Sequence, residues 1–189
     1  IALALREAGC DVTVTGTAAT GRAPSGCAYL AADFADAAQV ARLAAQAAGA
    51  GVSVLVNNAG INIIGPVEDY DVADFARLQQ VNVTAPFALC RAVVPGMRKR
   101  RFGRIVNITS IFSVVSRRGR AAYSTSKCAL VGLTRALALE VAADNVLVNC
   151  LAPGFVETDM TRGILGPQGM AEVVERIPMG RVAQAVDHP

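Results

Sequence analysis

Apolar and polar positions follow two rhythms along this chain. Short, nearly continuous apolar or β-branched runs recur at 11–16 (DVTVTG), 28–33 (AYLAAD), 51–60 (GVSVLVNNAG), 103–110 (GRIVNITS) and 145–154 (NVLVNCLAPG). Runs of that length and composition predict strands covered on both faces. Between them, apolar residues return at three- and four-residue spacing, the helical rhythm. Residues 1–8 predict a helix closed by Gly9, and 36–48 an Ala-rich helix ending near Gly49. Residues 71–100 predict one long helix on Val83, Phe87, Cys90, Val94 and Met97, and 121–143 predict a second.

Strand and helix therefore alternate. With strands apolar on both faces, the expected fold is α/β: a doubly wound parallel sheet of the Rossmann type in three α/β/α layers. Ligands of such sheets lie outside the carboxyl ends of the strands. Those ends carry small or polar residues here: Thr15-Gly16, Asp33, Asn57-Asn58-Ala59-Gly60, Ser110 and Pro153-Gly154. No internal repeat or linker marks a second domain, so 1–189 is expected to be one domain, with 159–180 as a substrate-binding lobe hinged at Gly163, Gly166, Pro167 and Gly169. Both ends read as cut. IALALREA lacks the first half of its helix, and AVDHP stops where another helix would begin.

Composition narrows the function. The chain has 189 residues, 53% of them hydrophobic and 17% charged, with a net charge of +3, as expected of a compact globular domain. Arg98–Arg104 and Arg117–Arg120 are basic clusters that read as solvated turns, with selection of an anionic or carrier-bound substrate as the alternative for Arg117, Arg118 and Arg120, and nucleic-acid binding is not expected. Five widely spaced cysteines predict free thiols in a reducing, cytoplasmic setting. The only histidine is His188, and no CxxC occurs, so neither a metal site nor a histidine-based triad is expected. No apolar run is long enough to span a membrane.

Five segments then fall in order at strand ends or on facing helices. They are NNAG, Asn82, Ser110, Tyr123-x-x-x-Lys127, and PGFVETDM after the last strand. With VLVNNAGI, GRIVNITS, YSTSK and VNCLAPGFVETDM, the chain resembles the short-chain dehydrogenase/reductase family over essentially its whole length, and looks most like its 3-oxoacyl-carrier-protein reductase branch. Tyr and Lys four apart share a helix face, and an ammonium beside a phenol favours the phenolate. The resemblance implies Tyr123 as acid–base, Lys127 as the group that lowers its pKa and holds the nicotinamide ribose, and Ser110 as the hydrogen bond to the substrate oxygen. It implies that Asn82 holds a water of a proton relay.

On the cofactor side it implies an adenine contact at Asp33 and Phe34, ribose contacts at Asn57, Asn58, Ala59 and Gly60, and a nicotinamide cradle at Pro153, Gly154, Val156 and Thr158. Thr15 and Gly16 stand where an acid would select NAD(H), and its absence favours NADP(H). The family's glycine-rich pyrophosphate loop would precede Ile1, so this chain alone is expected to bind cofactor poorly. The expected partners are a small carbonyl or alcohol substrate, with an acyl thioester as one candidate, and further copies of the chain in a homodimer or homotetramer. A noncatalytic dinucleotide sensor and a sugar or alcohol dehydrogenase of the same family are the alternatives.

Overall fold

The computed structural model describes residues 1–187, except the side chains of Met160 and Val186. His188 and the end of the expected C-terminal helix lie outside the described residues. All strand pairs are parallel. Strands β1 (Thr13–Gly16) and β2 (Ala28–Ala31) form one sheet, and β3 (Val54–Asn57), β4 (Gly103–Ile108) and β5 (Val146–Leu151) form another with β4 central. Register aligns the carboxyl ends: Gly16 lies opposite Ala31, Asn57 opposite Asn107, and Asn107 opposite Cys150.

Among the described residues six α-helices accompany the strands: α1 (Ala2–Glu7), α2 (Ala37–Gly49), α3 (Val72–Gln79), α4 (Ala85–Arg100), α5 (Ala121–Val141) and α6 (Asp159–Glu175). Helix α2 starts where Asp36 accepts the amides of Ala38 and Gln39 at 2.8 and 3.2 Å, and it buries Val40 and Leu43. One core joins α4 to the second sheet through Cys90, Val93, Val94, Met97, Ile105, Val141, Val146 and Val148. A second joins α2 to the strand ends through Ala32, Phe34, Val40, Leu43, Val81, Ala85 and Leu89. Packing is tight enough at the start of β4 that any side chain on Gly103 would collide with the Met97 side chain.

Parallel strands flanked by helices are the α/β/α class that the sequence predicts. Three details differ. No hydrogen bond joins the β1–β2 pair to the β3–β4–β5 sheet among the described residues. The strands are not covered on both faces either. β1 and β2 contain no buried residue, and along β5 burial alternates, with Val146 and Val148 inside and Leu147 46% exposed. The reason is that α4 and α5 cover one face of the second sheet, so only residues of one parity reach the core.

The third difference lies in the long helix expected over 71–100. It is divided by a π-helical turn, Gln80–Thr84, between α3 and α4. Such turns insert an extra residue and gather at functional sites. The expected hinge in 159–180 is a kink within α6, where Gly166 takes φ 61 and Pro167 follows. Only glycine adopts that backbone readily.

Candidate active site

The site is assembled at the carboxyl ends of β3, β4 and β5 and along the first turns of α5. Ser110 ends β4 and caps the turn Ile111–Ser113, its Oγ accepting the Phe112 amide at 3.2 Å. Tyr123 and Lys127 lie one turn apart on α5, with the Lys127 Nζ 5.5 Å from the centre of the Tyr123 ring. Lys127 is buried and donates to the Ile108 carbonyl at 2.9 Å. That is one bond from a group with three donors. Gly60 closes the other side. A Cβ there would stand 3.5 Å from the Lys127 Nζ and 3.4 Å from Asn82 Oδ1, so glycine leaves the ammonium accessible.

Asn82 sits in the π turn and is wholly buried. Its Oδ1 accepts the Ile61 amide at 2.9 Å, and its Nδ2 donates to the Ile61 carbonyl and to Ser126 Oγ, both at 3.0 Å. Ser126 in turn donates to the Tyr123 carbonyl at 2.7 Å. Both amide hydrogens of Asn82 are thus spent on protein. The side chain ties the strand end after Gly60 to the turn of α5 that carries Tyr123 and Lys127, leaving one acceptor lone pair for a water.

Electrostatics differ from the expectation for the tyrosine. Burial holds the Tyr123 phenol above its ordinary pKa, outweighing a hydrogen bond to Ser110 and the positive charge of Arg120, which pull it down. Burial also pushes the Lys127 ammonium down to about 8. Arg120 thus contributes positive charge at the phenol, and burial weakens Lys127 as a cation.

Other expected contacts divide into three groups. Gly154 lines the cleft beside Ser110 and Tyr123. Asn58 and Ala59 are exposed on the turn after β3, and Thr15 is exposed at the end of β1. Asp33 keeps one carboxylate oxygen on the Ala35 amide at 2.9 Å, and Phe34 is buried beside it. Pro153 accepts the Ile111 amide through its carbonyl at 2.9 Å, and Val156 pairs with Ala183. The third group is turned to structural work. Asn57 points into the interior, where its Nδ2 donates to Asn107 Oδ1 at 2.8 Å and Asn107 donates to Thr134 at 2.8 Å. Thr158 caps α6, its Oγ1 accepting the Thr161 amide at 3.1 Å.

At Gly16 a Cβ would meet the Tyr29 hydroxyl at 2.8 Å, and that hydroxyl donates to the Ala18 carbonyl at 2.7 Å. Tyr29 thus occupies the space that an acidic side chain at 16 would need, a packing reason for the absent acid that the sequence reading missed. It also missed Asn62, Phe112, Phe155 and Thr161, which line a cleft of about 80 Å³ with Ser110, Tyr123, Ile164 and Leu165. Ile164 and Leu165 of α6 give this cleft an apolar wall. Arg120, expected in a solvated turn, is only 2% exposed and lines the same cleft. Its position was the available signal: it lies three residues before Tyr123, at the N-cap of α5.

The model of the short chain dehydrogenase family matches residues 1–168 of the chain. The chain belongs to the short-chain dehydrogenase/reductase family. Curated relatives include nodulation protein G of Rhizobium sp. (strain N33), 41% identical over 137 residues, covering 72% of this chain and 56% of that protein. The 3-oxoacyl-[acyl-carrier-protein] reductase of Aquifex aeolicus (strain VF5) is 42% identical over 131 residues, covering 69% and 52%. These relatives put it on the 3-oxoacyl-acyl-carrier-protein reductase-like branch, and the chain spans about half the length of each. Among solved structures, a gluconate 5-dehydrogenase from Burkholderia cenocepacia J2315, in complex with NADP and tartrate, superposes with a TM-score of 0.87 at 28% identity, covering 97% of this chain and 76% of that one. Among the described residues no helix is long and apolar enough to cross a membrane, and no group of three or more His, Cys, Asp or Glu could hold a metal ion. All five cysteines are free thiols.

Proposed function

We propose that the protein is an NAD(P)(H)-dependent oxidoreductase interconverting a ketone and a secondary alcohol, with NADP(H) preferred. The observation that carries this reading is the convergence of Ser110 and Tyr123 on one cleft at the strand ends, with Lys127 one turn along α5 and Gly60 and Asn82 beside its ammonium. The residues fit a nicotinamide cofactor at its ribose end. A buried ammonium with two unspent hydrogens faces a glycine-lined turn, the donor set that vicinal hydroxyls require. When bound, the cofactor supplies the hydride for reduction and accepts it in oxidation.

The chain's own residues do the rest. Ser110 donates a hydrogen bond to the carbonyl oxygen and fixes its position. Tyr123 delivers the proton to that oxygen as the C–H bond forms, so one hydride and one proton convert the ketone to the alcohol, and the phenolate recovers its proton from solvent. Lys127 stabilises the phenolate, and Asn82 holds the α5 turn in register. Asp33, Phe34, Asn58, Ala59 and Gly60 on one side, with Pro153, Gly154 and Val156 on the other, border the cofactor path. The NADP(H) preference rests on Gly16, where Tyr29 leaves no room for an acid that would repel a 2′-phosphate.

Two substrate classes enter from the relatives, 3-oxoacyl thioesters and hydroxy acids such as gluconate. A homodimer or homotetramer is the proposed assembly, supported by Phe75, Phe87 and Leu139 on α3, α4 and α5, which are 38%, 54% and 84% exposed. The functional reading is tested by assaying the intact protein with NADPH and NADH against ketones, oxo acids and oxoacyl thioesters. Carbonyl-dependent oxidation of NADPH, faster than that of NADH, is expected. Cofactor binding without turnover of any carbonyl would favour a dinucleotide sensor instead.

A further inference from the structure

Arg120 is among the largest fully buried side chains of the protein, yet among the described residues no ion pair engages it. Its Nε is buried without an acceptor. Burial and the positive charge of Arg117 depress its pKa, against the opposing pull of Tyr123. The contact it does make is weak, the guanidinium lying 5.4 Å from the centre of the Phe112 ring. Burying an unpaired guanidinium costs several kcal/mol in proteins generally, so such groups are nearly always paired.

The surroundings indicate what would pair with it. Arg120 lines the same cleft as Ser110 and Tyr123, and no acidic residue lines that cleft. It also stands at the N-cap of α5, a 21-residue helix whose first turn has no side-chain cap, so the positive helix end adds to its charge. Across the cleft, Asn62 Oδ1 is likewise buried without a partner. An amide in that position can reverse and offer its NH₂ to an anion. Thr161 supplies a hydroxyl on the same wall, while Ile164, Leu165 and Phe155 exclude water.

The geometry points to Arg120 as the subsite for a carboxylate of the substrate, held a few atoms from the carbonyl carbon that Ser110 and Tyr123 address. The natural substrate is then a short oxo acid or hydroxy acid, not a neutral ketone and not an acyl thioester, whose reacting end is uncharged. This deepens the functional proposal and rests on it for the identity of the reacting group. A single guanidinium with one amide suits a monoanionic carboxylate through a bidentate pair. Arg117 and Arg118 remain exposed and belong to the rim.

The test uses the intact protein with NADP⁺ bound and a series of matched pairs: pyruvate, acetoacetate and levulinate, each against its methyl ester. Calorimetric titration reads binding, and NADPH oxidation reads turnover. The acid of at least one pair is expected to bind about tenfold or more tightly than its ester, as a charge-assisted pair in a dry cleft should. In Arg120→Met that preference collapses toward one, and Arg120→Lys retains part of it. Equal binding of acid and ester in every wild-type pair would overturn the proposal, as would better turnover of an acetoacetyl thioester than of any oxo acid. The acid–ester comparison in wild-type protein stands even if Arg120→Met fails to fold. A carboxylate preference in binding without turnover would instead count against the oxidoreductase reading and leave the anion subsite in place.

Discussion

Lys127 shows most clearly how burial governs single residues here. Its folded pKa, about 8, lies below the ordinary lysine value of 10.5. Below pH 8 the charged side chain is held at a cost, and that cost is relieved as pH rises from about 8 to 10.5, because the unfolded chain then binds more protons than the folded one. Lys127→Met should therefore melt at a higher temperature than wild type at pH 7, with the difference shrinking toward pH 10. Cys90 works in the opposite direction. Burial raises its thiol to about 11, so stability is lost from it as pH climbs from 9 to 11, and only the difference between the two proteins isolates Lys127. A melting difference that stays constant between pH 7 and 10 would mean that Lys127 is not desolvated. Tyr123, also raised by burial, should make alcohol oxidation accelerate with pH through the alkaline range, since oxidation needs the phenolate.

At the level of elements, the π turn of 80–84 is the feature on which the site depends. It aims Asn82 at both backbone groups of Ile61 and at Ser126, linking the end of β3 to α5. Asn82→Ala would strand the Ile61 amide and carbonyl, at a cost of roughly 2–5 kcal/mol. Urea unfolding should show a loss of that order, with turnover falling in parallel. Full stability in the variant would mean that water replaces the amide without penalty. Hydrophobic period revealed α4, after this turn, because Phe87, Cys90, Val94 and Met97 repeat at three- and four-residue spacing. It could not reveal the extra residue in the turn, which is imposed by a contact twenty-one residues away. Strand burial was misjudged for a similar reason. Runs such as VLV are apolar at every position, and only the packing of α4 and α5 decides which parity is covered.

For the whole molecule, the order of motifs along the chain was enough to place the cleft, because parallel strands put all their carboxyl ends on one side. Ser110, Tyr123, Lys127 and Gly154 were legible on that basis. Arg120 was not, since an arginine in RRGR reads as a solvated turn until the fold closes Phe112, Asn62 and α6 around it. Assembly is the property that individual residues predict least well, yet exposed Phe87 and Leu139 on α4 and α5 form a testable face. Phe87→Glu should shift the sedimenting species of the intact protein toward monomer. An unchanged species would place the interface elsewhere.

The central claim is that Tyr123 transfers the proton while hydride moves between carbon and nicotinamide. Turnover of wild-type and Tyr123→Phe intact protein, followed by absorbance of the reduced nicotinamide with cofactor affinity measured alongside, tests it most directly. The account predicts a loss of at least about 100-fold in turnover with cofactor affinity within a few-fold of wild type. Near-normal turnover in Tyr123→Phe would contradict it.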